Sequence, residues 1–277
     1  MSDHIQTRTT PLEQQPAPRS FHLPQWVLPA VFFVGLIILW EVGIKWGEVP
    51  SYIVPAPSDI WNAAMRNISR GLYPPHIWAT MQSVLIGYGA GVLGGIVLGT
   101  LFAEIRLFER LVFPLIVALQ SMPKIALAPL FVMWFGYGFT SKVVTVTLMC
   151  LFPVLVNTVT GLKSADPDRI SLIRAMTGSR LQVFRYVKLP SAASHIFAAM
   201  QVAVVMALIG ALVAEFVGSD RGLGILIQNG QLNLDTPGIF AVLVILSALG
   251  IGSTAIVRYV HGKVVFWERR ADRPSGE

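Results

Sequence analysis

The stretch SVLIGYGAGVLGGIVLGTLFA, Ser83 to Ala103, carries no charge and places Gly87, Gly91, Gly95 and Gly99 at every fourth position. A run of about 20 apolar residues is the length an α-helix needs to cross a bilayer. On such a helix, residues four apart share a face, so the glycines form a strip along which a second helix backbone can come close. The stretch therefore predicts a membrane-spanning helix, with the strip serving helix packing in preference to substrate contact.

The rest of the chain continues in the same manner. Of its 277 residues, 54% are hydrophobic and 13% charged, with a mean hydropathy of +0.63. These values belong to membrane proteins and not to soluble domains. Six segments reach spanning length, near 26–46, 80–103, 111–135, 143–162, 195–217 and 238–260. The fold class expected is an all-α polytopic membrane protein with six transmembrane helices. A membrane domain over 25–265 is flanked by polar tails, 1–24 and 266–277. The first span follows a Pro/Gln-rich tail without a small-residue cleavage pattern, and so reads as a retained helix and not a signal peptide.

Orientation follows from the loop cations. Arg8 and Arg19 precede the first span, and Arg106 and Arg110 follow the second. Lys163, Arg169, Arg174, Arg180, Arg185 and Lys188 follow the fourth, and Arg258, Lys263, Arg269, Arg270 and Arg273 lie at the end. These fifteen face one side; Arg66, Arg70, Lys142 and Arg221 face the other. Both termini and the 163–190 loop are thus expected in the cytoplasm. The same asymmetry accounts for the net charge of +6, so no nucleic-acid partner is needed to explain it. Cys150, the single cysteine, lies inside a span with no neighbours at metal spacing. It reads as packing, and no metal or cofactor is expected.

Three polar groups within the spans are candidates for a translocation pathway: Lys124, Asn157 and Glu215. A cation at mid-membrane costs about 2.5–3.5 kcal/mol on insertion scales. Lys124, between Pro123 and Pro129 in a broken third span, should therefore face a watery cavity or a partner, or else snorkel. Glu215 lies close to a span's end, where an interfacial role competes with a pathway role.

The loop LKSADPDRISLIRAMTGSRLQVFRYVKLPSA, Leu162 to Ala192, has helix signals of its own. Asp166 followed by Pro167 is a capped helix start. Gly178 suits the left-handed residue that ends the helix, and Ser179 can cap a second one. Leu181, Phe184 and Val187 would line its apolar face, flanked by Arg180, Arg185 and Lys188, with Leu189–Pro190 closing it before the next span. A DNA-reading helix-turn-helix would be pinned against the membrane there. A helix lying on anionic lipid and a helix docking into a groove of another protein both fit the composition.

The order SRLQVFRYVKLP, Ser179 to Pro190, resembles the cytoplasmic loop of permease subunits of bacterial ATP-binding-cassette importers. That loop carries Glu-Ala-Ala, three residues, Gly, nine residues, an aliphatic, one residue and Leu-Pro. Here Leu189–Pro190 and Val187 match, Thr177 takes the glycine place with Gly178 one step later, and Ser171, Leu172 and Ile173 replace Glu-Ala-Ala. VPSYIVPAPSDIWNA (49–63), QSMPKIALAPLFVMWFGYG (120–138), FPVLVNTVTGL (152–162) and IGALVAEFVGSDRGLGILI (209–227) are similar to the branch serving sulfonates, taurine, nitrate and thiamine- or riboflavin-related precursors. The likeness runs from about residue 24 to 265.

The resemblance implies the type I importer permease (MetI-like) core of five helices, spans two to six, with one helix in front. It implies a second permease subunit (a homodimer expected), two cytoplasmic ATPase subunits, an external substrate-binding protein and a place in the bacterial inner membrane. It also implies an ATPase-coupling role for Thr177, Gly178, Arg180, Leu181, Phe184, Arg185, Val187, Leu189 and Pro190. No phosphate-loop motif is present; His261-Gly262-Lys263-Val264 lacks its first glycine and its hydroxyl. A partner must supply ATP hydrolysis, and the chain itself is expected not to be an enzyme. A membrane-embedded enzyme would need convergent nucleophiles or carboxylate pairs, and a passive channel would not need the loop. The SMPKIALAPL version of the third span looks closest to members handling pyrimidine- or flavin-type precursors, with sulfonate, taurine or nitrate as the alternative.

Overall fold

A computed structural model describes residues 27–105, 108, 111, 116, 118 and 121–267. Ten α-helices are named here: α1 (Val27–Trp46), α2 (Pro57–Ser69), α3 (Tyr73–Glu104), α4 (Ala128–Phe135), α5 (Phe139–Lys163), α6 (Pro167–Ala175), α7 (Arg180–Val183), α8 (Leu189–Gly218), α9 (Leu223–Leu232) and α10 (Thr236–Val264). A 3-10 turn, Lys124–Leu127, leads into α4, and a π turn, Phe184–Lys188, joins α7 to α8. Among the described residues, five helical stretches are long and apolar enough to span a membrane: α1, α3, α5, Arg180–Gly218 and α10.

The glycine strip of α3 sets the centre of the bundle. A Cβ added at Gly87 would lie 2.6 Å from the Val146 Cβ, at Gly91 2.6 Å from that of Cys150, at Gly95 2.8 Å from that of Val154 and at Gly99 2.7 Å from that of Thr158. Both series advance by four, so α3 and α5 run parallel, backbone against side chain, with no room for even a methyl group. Lipid tails are as apolar as leucine, so helices in a membrane gain mainly from such close dispersion contact. The buried hydroxyls here are satisfied within their own helices: Thr145 donates to the Ser141 carbonyl at 2.8 Å and Thr158 to that of Val154 at 2.7 Å.

Helix α8 packs antiparallel to α5. A Cβ on Gly161 would meet Ala192 Cα at 2.9 Å, while one on Gly210 would lie 3.4 Å from Val146 Cα. Its alanines at 192, 199, 203, 207, 211 and 214 are buried, and the Cys150 thiol donates to the Ala203 carbonyl at 3.3 Å.

Because α3 and α5 are parallel, Glu104 at the end of α3 and Phe139 at the start of α5 lie at opposite ends of the bundle. Ile116 packs with Phe102, Leu155 and Val159 near the ends that approach the 163–190 loop. At the opposite end, Val132 would lie 2.9 Å from a Cβ on Gly218. Residues 112–115, 117, 119 and 120 of the span expected at 111–135 lie outside the described residues. Its described end is broken as the prolines suggest, into Lys124–Leu127 and α4.

Several elements differ from the sequence expectation. Helix α3 begins at Tyr73, seven residues ahead of the expected 80, because Pro74 and Pro75 sit in its first turn, where no N–H is required. Helix α5 begins at Phe139 and not 143, so Lys142, taken as a loop cation, lies inside it and is only 4% exposed. Helix α8 begins at Leu189 and not 195, and α10 runs over 236–264 and not 238–260. Helices α2 and α9 were not foreseen. The α2 N-cap is Ala56, which offers no side-chain acceptor. Glu41 of α1 supplies one, accepting from Ser58 N at 2.9 Å and Ser58 Oγ at 2.7 Å.

Candidate functional site

The loop at the basic end of the bundle is built from two capped helices. Asp166 caps α6 by accepting from Asp168 N at 2.9 Å. Ser179 and Gln182 form a reciprocal capping box on α7: Gln182 N donates to Ser179 Oγ, and Ser179 N donates to Gln182 Oε1 at 2.6 Å. Between them, Thr177 N donates to the Arg174 carbonyl at 3.0 Å and Gly178 N to that of Ile173 at 2.9 Å. This is the paired bonding of a Schellman turn. The left-handed residue in it is Thr177, with φ +61°, and not Gly178. Gly178 is needed for space instead, since a Cβ there would fall 2.7 Å from the Ile173 carbonyl oxygen.

The glycine place of the loop signature therefore coincides with the strained position. A β-branched residue at positive φ costs about 1–2 kcal/mol. Thr177→Gly is expected to stabilise the purified chain by about 1 kcal/mol, whereas Gly178→Ala lowers its unfolding temperature. Equal responses at the two positions would contradict this assignment of roles.

Leu189–Pro190 does not end the helix. Leu189 N bonds back to the Phe184 carbonyl across the π turn, whose wider ring accommodates the missing Pro190 N–H. Helix runs without interruption from Arg180 to Gly218, 39 residues. The π turn also shifts the phase of the faces. Val187 is buried, and Phe184 is half-buried against the Leu162, Ala192 and Ile196 cluster. Leu181, 72% exposed, stays outside, joined by Leu172, Met176 and Tyr186. Arg180 and Arg185 are exposed, while Lys188 pairs with Glu104 of α3 at 2.6 Å. Ile173, Met176, Thr177, Gly178, Gln182 and Tyr186 line a surface groove of about 350 Å³.

A second concavity lies between the 3-10 turn, α5 and α8. It measures about 340 Å³ and is lined by Lys124, Ile125, Met149, Phe152, Pro153, Val202 and Met206. Lys124 Nζ stands 5.4 Å from the Phe152 ring centroid, within cation–π range. Asn157 is one turn further along α5, its amide donating to the Pro153 carbonyl at 2.8 Å.

Glu215 is elsewhere. It is fully buried, accepting from Thr80 Oγ1 at 2.8 Å and Gly224 N at 2.8 Å, with Lys142 Nζ 3.8 Å away. Lys142 in turn donates to Ser219 Oγ and to the Arg221 carbonyl, each at 3.1 Å. Thr80 Oγ1 accepts from Leu223 N at 2.9 Å, and His76 Nδ1 accepts from Gly222 N at 3.2 Å. Gly222, at φ +148°, passes so close that a Cβ would strike the Glu215 carboxylate. The network fastens the start of α9 to α3, α5 and α8. Nothing local in the sequence joins Lys142 to Glu215.

Comparison with known proteins agrees with this architecture. Residues 91–265 match the family described as the binding-protein-dependent transport system inner membrane component. The chain is 36% identical over 244 residues to the formylaminopyrimidine transport permease protein ThiX of Halalkalibacterium halodurans, covering 87% of this chain and 96% of that one. It is 31% identical to the riboflavin transport system permease protein RibX of Chloroflexus aurantiacus, covering 90% of this chain and 92% of the relative. Its fold is similar to a chain of the inward-facing MetNI methionine ABC transporter, with TM-score 0.58, 21% identity and coverage of 68% of this chain and 92% of that one. The parallel glycine-packed helices, the capped basic loop and a match spanning nearly the whole membrane domain lead to one conclusion: this chain belongs to the family of binding-protein-dependent ABC importer permeases, multi-pass inner-membrane transport subunits and not enzymes.

Proposed function

We propose that this permease imports a small polar organic solute of the pyrimidine or riboflavin-precursor type, driven by a separate ATPase that docks on the 163–190 loop. The single observation that carries the coupling part is the unbroken helix from Arg180 to Gly218. Its first turns belong to the exposed loop, and its last residues hold the Glu215 network at the opposite end of the bundle. A push on Leu181 or Tyr186 thus acts on a lever that spans the membrane. The substrate class draws on the near-full-length relatives named for formylaminopyrimidine and riboflavin. Sulfonate, taurine or nitrate uptake by the same machinery is the second reading, supported by relatives named for aliphatic sulfonates and taurine at 28% and 30% identity.

The complex is expected to hold two copies of this chain, two ATPase subunits and an external binding protein, with six spans per copy. The parallel course of α3 and α5 supports the sixth, since it requires a return crossing between them. Both termini would be cytoplasmic, on the strength of the cation asymmetry. Cysteines introduced at Ser69, in the outer connection, should react with an impermeant reagent in intact cells. Those at Ser179 should react only after permeabilisation, and labelling of position 179 from outside would refute the orientation. Function is tested by deleting the gene and measuring uptake of labelled pyrimidine, riboflavin and sulfonate. Loss of sulfonate uptake alone would move the assignment to the second reading.

A further inference from the structure

We propose that α2 is an interfacial helix that holds the bundle to a phospholipid surface, with Trp61, Met65 and Ile68 among the acyl chains and Arg66 and Arg70 at the level of the lipid phosphates.

Three stripes divide α2. Each is spaced by three and four residues, and so each is a separate face of the helix. Ile60, Ala63 and Asn67 form the first, with Ala63 buried and the other two half-buried. On this side the helix packs against α10 and α1, and Asn67 donates to the Tyr73 hydroxyl at the start of α3 at 3.2 Å. Trp61, Met65 and Ile68 form the second, at 65%, 40% and 54% exposed. Asn62, Arg66 and Ser69 form the third, all exposed, with exposed Arg70 one residue further on. A helix between a core and water needs only two faces, one apolar and one polar. A third face, apolar yet turned away from both the bundle and the polar residues, is what a helix lying in a membrane interface requires.

The depth of α2 agrees. Glu41 of α1 accepts from Ser58 N at 2.9 Å and Ser58 Oγ at 2.7 Å, in the first turn of α2. Glu41 precedes Trp46, the last residue of α1, by five positions, a rise of about 7.5 Å. The start of α2 is thus pinned below the end of a spanning helix. Interfacial helices bury their apolar face to a comparable depth, about 5–10 Å. Helix α1 itself buries none of its residues, so the apolar stripe of α2 continues the lipid-facing surface of its neighbour. A protein in the surrounding water does not reach a face held at that level. Tryptophan is at home there, and guanidinium groups pair with phosphate oxygens in a bidentate manner. The start of α3, to which Asn67 bonds, is opposite the end where Glu104 meets Lys188 of the loop. Helix α2 therefore braces α1, α3 and α10 against lipid at the end remote from the 163–190 loop.

The test uses the full chain in phospholipid nanodiscs, with a nitroxide on one introduced cysteine at a time: Met65→Cys, Ile68→Cys, Asn62→Cys or Ser69→Cys. Cys150 is fully buried and stays unlabelled. Power saturation compares collision with oxygen, which concentrates in the acyl layer, and with a nickel chelate, which stays in water. The ratio of oxygen to nickel accessibility is expected above one at 65 and 68 and below one at 62 and 69. Arg66→Glu combined with Arg70→Glu, which sets carboxylates against the phosphates, should lower the ratio at 65 as the helix rises. Unfolding midpoints show that each variant is folded, and either of positions 65 and 68 suffices to decide.

A ratio below one at 65 and 68 means that this face meets water and overturns the proposal. Low accessibility to both reagents there also overturns it, since a second copy or another protein then covers the face. A ratio at 65 that the two glutamates leave unchanged overturns the contact with phosphate.

Discussion

Glu215→Ala is expected to destabilise the purified permease by about 3–5 kcal/mol, the cost of stranding the partner of a buried ion pair. Glu215 is the acceptor on which four helices converge. Its removal leaves the Lys142 ammonium, 4% exposed, facing only Ser219 and the Arg221 carbonyl. It also leaves Thr80 and the Gly224 N–H without their 2.8 Å acceptors. Each buried donor left unmet adds about 1–3 kcal/mol, although relaxation and water entry keep the terms from summing. Lys142→Met should cost less, since the carboxylate retains two short hydrogen bonds. The double change Glu215→Gln with Lys142→Met should cost less than the sum of its parts, because it removes the charges together while keeping an amide able to bond Thr80 and Gly224. Thermal unfolding of the wild type, Glu215→Gln, Lys142→Met and the double variant in one lipid system supplies the cycle. Strict additivity would mean that the 3.8 Å pair contributes nothing and that Glu215 acts through its hydrogen bonds alone.

Apolar runs made the bundle legible, because spanning length is a property of a single segment. The period-four glycines likewise announced a packing face, though not that α5 would be the partner. What the sequence hid is relational or short. Lys142 and Glu215 lie far apart in the chain and on different helices, and moving one helix start from 143 to 139 turned a loop cation into a buried one. Helices α2 and α9 are too short for a hydropathy window, and α2 borrows its cap from α1. Pro190 read as closing a helix, yet it follows a π turn within one, while Pro74 and Pro75 sit unforeseen in the first turn of α3. The same π turn rotates Phe184 and Val187 inward, which a uniform period of 3.6 residues cannot anticipate.

That rotation changes which substitution separates docking from folding. Phe184→Asp would place a carboxylate among Leu162, Ala192 and Ile196, so its failure would report a damaged bundle and say nothing about a partner. Leu181 and Tyr186 are the better probes, at 72% and 65% exposed on the loop surface. Exposed substitutions away from caps and cores usually change stability by about 0.5 kcal/mol or less. Leu181→Asp combined with Tyr186→Asp should therefore leave the unfolding midpoint and membrane insertion intact. If an ATPase groove receives this ridge, the two carboxylates enter an apolar site without partners. Loss of a central anchor costs about 2 kcal/mol or more, roughly 30-fold in affinity, and the added charge deepens the loss. ATPase co-purification should disappear and uptake with it, while Val187→Asp, at a buried position, should fail earlier by unfolding the chain. A helix that merely rests on anionic lipid predicts a different pattern: the double variant would weaken the loop's hold on vesicles of anionic lipid yet keep its ATPase. Retention of the ATPase at wild-type level by the folded double variant would remove this ridge from the coupling surface.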